Sequence, residues 1–168
     1  MDKTMYKYLT ALNNIYNYSY VENGSSYSKR LSAIDMKIYL KTLQNLKEEL
    51  MNNLNITIAS VQIVNSHPLK KCLVEIAINS MMILSKVKNM TPESIITSNT
   101  KLFERKNADY GNSFVDFELI GIIVRLNDKI NRILNLGETT PDSMQVDEKI
   151  EETINDLYNY CVIGLMYT

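Results

Sequence analysis

Apolar residues recur at three- and four-residue spacing along most of this chain, and only five Gly and three Pro interrupt 168 residues. A repeat of 3.6 residues sustained with so few breakers predicts helix nearly everywhere and little sheet. The expected architecture is therefore all-α, a single-domain bundle of about five to seven helices. At this length and a hydrophobic content of 45%, one core of ordinary size is covered. A formal net charge of -1 supplies no global basic field, so any anion site must be local and direct nucleic-acid binding is not expected.

The pattern divides at turn residues. Tyr6, Leu9, Leu12, Ile15 and Tyr16 trace one stripe, and Asn23-Gly24-Ser25-Ser26 breaks it. Ile34, Ile38, Leu40, Leu43, Leu46 and Leu50 mark the next helix. The β-branched run Ile56 to Val64 has strand character but no partner strand, so helix is the expectation there. Pro68 opens a largely buried helix from Leu69 to Lys88. Thr91 as N-cap with Pro92 in the first turn opens another, running toward Lys106. Asp109-Tyr110-Gly111-Asn112 is turn chemistry, followed by a long helix from about Asn112 to Leu136 that Gly137 is placed to end. Asp147 caps a last helix reaching Met166. Residues 1–100 form an N-terminal helical region of unrecognised type, packed as one domain with residues 101–168.

Cys72 and Cys161 lie far apart, outside any CxxC or Cys/His spacing, and read as buried thiols. The first residues, Met1 to Lys7, lead into no signal-like apolar run, and no run reaches the roughly 18 residues of a membrane span; no membrane partner and a cytoplasmic location are expected. His67, the one histidine, stands at a helix start and suits capping more than catalysis, so no nucleophile–histidine arrangement is indicated.

Chemistry is expected in the last third. At about 100° per residue, Glu118, Gly121, Arg125, Asp128, Lys129 and Arg132 fall in one strip. Ile120, Ile123, Val124, Leu126, Ile130, Ile133 and Leu134 occupy the rest of that helix, which reads as central to the fold. On the last helix Glu148, Glu152, Asn155, Asp156 and Asn159 share a strip opposite Ile150, Ile154, Leu157 and Cys161. Facing each other, the strips offer carboxylates for Mg²⁺ and cations for phosphate. As ordinary solvated faces, they offer surface pairs worth a few tenths of a kcal/mol.

Lys106 to Phe114 (KNADYGNSF), Gly121 with Arg125 to Leu136 (RLNDKINRILNL), and Asp147 to Tyr160 (DEKIEETINDLYNY) resemble the nucleotide modification associated domain, type one, of phage and bacterial proteins. The layout also resembles the all-α nucleoside triphosphate pyrophosphatases of the MazG and dimeric dUTPase group, which hold Mg²⁺ with ExxE and ExxD pairs and release pyrophosphate. Here Gly121 stands after Glu118, and Glu152 precedes Asp156 by four residues with Thr153 between, so the acidic set departs from that pattern. The resemblance implies Asp128, Glu152 and Asp156 as metal and catalytic residues. It implies Lys106, Asp109, Tyr110, Arg125, Lys129, Arg132 and Asn159 as substrate contacts. The activity implied is Mg²⁺-dependent pyrophosphohydrolysis of a deoxynucleoside triphosphate, in a homo-oligomer. Two alternatives stand beside it: a non-catalytic nucleotide-binding module or nucleotide sponge, and a helical-bundle interaction protein.

Overall fold

The computed structural model describes residues 3–17, 26–59, 67–109, 119–139 and 148–167. Among these residues seven helices follow one another: α1 (Lys3–Asn17), α2 (Ser26–Ala33), α3 (Met36–Ala59), α4 (His67–Lys88), α5 (Pro92–Asp109), α6 (Leu119–Thr139) and α7 (Glu148–Leu165). No strand occurs among the described residues, and the fold is an all-α single domain. The strand-like run is helical through Ala59, where it ends α3; residues 60–66, like the turn at 110–118, the break at 18–25 and the loop at 140–147 with its Asp147 cap, lie outside the described residues.

The helix starts follow local chemistry. The Thr91 hydroxyl accepts the Ser94 amide at 3.2 Å, capping α5 just before Pro92. Asp35 does the same for α3, its carboxylate taking the Ile38 amide at 2.8 Å. Ser26–Ala33, which the apolar stripes leave unmarked, is a separate short helix, and α3 begins only after Asp35. Lys86 from α4 seals the end of α2 by donating its ammonium to the Ser32 carbonyl at 2.9 Å and to the Ile34 carbonyl. At the end of α4, Asn89 takes a positive φ of 51°, and the Met90 amide reaches back to the Ser85 carbonyl at 3.0 Å. This is the left-handed termination that asparagine tolerates better than most residues.

The hub is α4. Leu69, Leu73, Val74, Ile76, Ala77, Ile78, Met81, Met82, Ile83 and Leu84 are all buried, because α4 meets α1, α2, α3, α5 and α7 around its circumference. Each of the Leu, Ile, Val and Met side chains removed from water contributes on the order of 1.5–3 kcal/mol. The expectation that α6 is central is corrected here. α6 packs against α3 and α7 on one side, burying Ile122, Ile123, Leu126, Ile130 and Ile133, while Ile120 and Val124 are exposed.

Gly137 does not terminate α6, which continues to Thr139. A Cβ at this position would lie 2.6 Å from Cδ1 and 2.9 Å from Cδ2 of Leu40, so a larger residue would require the Leu40 side chain of α3 to shift. Cys72 and Cys161 are buried and free, as their spacing implied. Burial pushes the Cys72 thiol up to about 12, with the nearby carboxylates of Glu49 and Glu75 adding to the effect, and pushes Cys161 up as well. No helix among the described residues is long and apolar enough to cross a membrane.

Candidate functional site

Two pockets lie against α7 in the last third of the chain, and they share Tyr160. The larger, an open depression of about 800 Å³, is lined along α6 by Arg125, Asp128, Lys129, Asn131, Arg132, Asn135 and Leu136, with Tyr160 of α7 at its side. Its volume lies within the range of small-molecule sites. These residues recur at three- and four-residue steps, so one helical face brings them together. Three cations against a single carboxylate make this face locally electropositive in a chain whose net charge is -1. Asn131 and Asn135 add neutral amide donors beside them.

The smaller pocket, about 140 Å³, lies between α5 and α7. Leu102, Phe103 and Ile163 supply apolar walls, and Lys106, Asp156, Asn159 and Tyr160 supply polar groups. The two pockets are linked by an ion pair: Nζ of Lys129 donates to Oδ2 of Asp156 at 3.2 Å. Both side chains are about a third or more exposed, at 32% and 42%, so the pair is screened and contributes little to stability.

The walls of the smaller pocket are fixed from behind. Asn159 Nδ2 donates to Asn99 Oδ1 at 2.7 Å and to the Asn155 carbonyl at 3.1 Å, while its Oδ1 accepts the Tyr8 hydroxyl at 3.2 Å. The Tyr8 ring stacks on Phe103 with centroids 4.0 Å apart and planes inclined by 9°. One asparagine thus ties α1, α5 and α7 together while its side chain borders a cavity. Burial pushes the Tyr8 and Tyr158 phenols well above their ordinary range, so both are neutral hydroxyls at physiological pH.

Of the two charged strips, Lys129 and Asp156 meet. Arg125, Asp128, Lys129 and Arg132 gather in the larger pocket, and Lys106, Asp156 and Asn159 in the smaller. Glu152 is exposed on α7 one turn before Asp156 and lines neither pocket. Asp109 ends α5, with its side chain outside the described part; Tyr110, Glu118 and the Glu148 side chain also lie outside it. Among the described residues no group of three or more His, Cys, Asp or Glu is placed to hold a metal ion.

With this geometry in view, the comparison with known families is informative. Residues 106–167 match nucleotide modification associated domain 1. No curated protein and no solved structure matches the chain. The matched segment begins at Lys106 and contains every α6 and α7 residue that lines either pocket, while Leu102 and Phe103 stand just before it.

The strip drawn from the sequence omitted Asn131, Asn135, Tyr160, Leu102 and Phe103. Asn131 and Asn135 follow Asp128 by three and seven residues, a helical repeat that could have placed them. Tyr160 adjoins Asn159 in the resembling segment, whereas Leu102 and Phe103 carry no signal beyond ordinary core-facing character.

Proposed function

We propose that this protein binds a nucleoside triphosphate, with the phosphates held along α6 by Arg125, Lys129 and Arg132. The observation that carries this reading is the pocket lined by those three cations and two asparagine amides, within a segment matching nucleotide modification associated domain 1. Guanidinium groups fit phosphate oxygens through paired hydrogen bonds, and a lysine ammonium serves as a point charge beside them. Isothermal titration of the full chain with each deoxynucleoside triphosphate, with and without Mg²⁺, tests it. Saturable binding that Arg132→Ala weakens supports the reading; no heat with any nucleotide overturns it.

Hydrolysis to a monophosphate and pyrophosphate is the second reading. It is favoured by Asp128 within the cationic pocket and Asp156 across the ion pair, and by the resemblance to the MazG and dimeric dUTPase group. Mg²⁺ is commonly held by one or two carboxylates together with substrate phosphates, and two aspartates suit an ion that arrives with the nucleotide. Glu152, exposed one turn from Asp156, is the third acidic candidate. Separating products after incubation with each deoxynucleoside triphosphate and Mg²⁺ decides the matter; intact nucleotide beside intact binding leaves a binding module. The exposed Ile120 and Val124, one turn apart on the helix that carries Arg125, support a homo-oligomer, which light scattering of the purified chain tests.

A further inference from the structure

We infer that the smaller pocket is a base subsite sized for one six-membered ring, which makes the site selective for pyrimidine over purine nucleotides; the inference rests on the nucleotide reading above. A cavity of about 150 Å³ with apolar walls accepts a single benzene ring. At about 140 Å³, with Leu102, Phe103 and Ile163 among its walls, this pocket matches one ring in volume, so the fused second ring of a purine would extend beyond it.

Part of the pocket wall is held from behind. Phe103 is backed by the stacked Tyr8 ring, and Asn159 has both ends of its amide engaged with other helices. Ile163 is 4% exposed and belongs to the main core. A wall fixed in this way discriminates by size, since enlarging it requires moving packed neighbours.

Its polar groups suit the edge of a pyrimidine. Lys106 offers only donors, matching ring carbonyl oxygens, and Asp156 offers only acceptors, matching a ring N–H or an exocyclic amine. Lys129 engages Oδ2 of Asp156, and Oδ1 can accept from a further donor. Tyr160 borders both cavities, so a nucleotide lying across it places its base by α5 and its phosphates along α6.

The test titrates the full chain with the cytosine, thymine, adenine and guanine deoxynucleoside triphosphates and with inorganic tripolyphosphate as a probe lacking a base. The expected result is binding of both pyrimidine nucleotides about tenfold or more tighter than either purine nucleotide, with tripolyphosphate weakest. Leu102→Ala, at a half-buried wall position, should reduce the pyrimidine-to-purine ratio and leave tripolyphosphate binding unchanged. Ile163→Ala, checked by circular dichroism for a folded chain, should do the same from the other wall. Equal affinity for purine and pyrimidine nucleotides, or affinities no tighter than tripolyphosphate, overturns the subsite while the phosphate site stands. No binding of any probe overturns the nucleotide reading and the subsite with it.

Discussion

Lys129 on α6 and Asp156 on α7 meet at 3.2 Å where a cationic pocket and a smaller one of mixed polar and apolar lining adjoin. The pair is exposed enough that its value to folding is small, about 0.2–1 kcal/mol, yet it joins the two helices that carry most of the charged site residues. Its position suits ligand binding more than stability.

Lys129→Ala should therefore separate the two roles. Denaturant unfolding of the free protein is expected to change by less than about 1 kcal/mol. Nucleotide-dependent stabilisation should fall sharply, because one of three pocket cations is gone. A large loss of intrinsic stability with binding intact would show the pair to be structural.

Asn159→Ala tests the opposite case. It leaves the Tyr8 hydroxyl and the Asn99 amide oxygen without their recorded partners. Removing one side of such a network costs about 1–3 kcal/mol, so urea unfolding should show a loss in that range even without ligand. A change within a few tenths of a kcal/mol contradicts the network's role.

The crossing of α3 and α6 is tested by a double-mutant cycle. Gly137→Ala places a methyl against Leu40, a clash that offsets the gain in helix propensity of up to about 1 kcal/mol. In a Leu40→Ala background the clash is absent, and the same substitution should stabilise. Identical effects in both backgrounds would mean that the close approach has no energetic consequence.

Stability should also decline in alkali. The Cys72 thiol, with an ordinary value near 9, is pushed up to about 12, and the buried Cys161, Tyr8, Tyr39 and Tyr158 are shifted in the same direction, mainly by burial. A group whose folded value is raised contributes its full stability below the unfolded value and loses it as pH rises toward the folded one. Melting temperature should hold to about pH 8.5 and fall from there toward pH 12. A flat profile over that window would contradict the buried, neutral state of these groups.

How much of this was legible in the sequence differs from element to element. The Thr91–Pro92 start, the buried Leu69 to Lys88 helix and the strips on α6 and α7 follow from periodicity and capping, which are local properties. The central role given to α6 was not correct, since a count of apolar residues does not say which neighbours cover them; Ile120 and Val124 face outward because α3 and α7 pack on the other side. Gly137 carries the signature of a helix end, but what its position meets is the side chain of Leu40, almost a hundred positions away. The cationic half of the site lies on one helix and could be read directly. The small pocket needs α1, α5 and α7 together, and no spacing within one helix encodes that meeting.

The central claim is that the pocket along α6 holds nucleotide phosphates. Its most direct test is the thermal unfolding of the wild-type chain and of Arg132→Ala with a panel of deoxynucleoside triphosphates. At about 100 times its Kd, a bound nucleotide adds about 2.7 kcal/mol, which raises the melting temperature by roughly 5–10 °C for a chain of this size. The account predicts such a rise for the wild type with at least one nucleotide and a much smaller one for the variant. No rise with any nucleotide, or the same rise in both proteins, contradicts it.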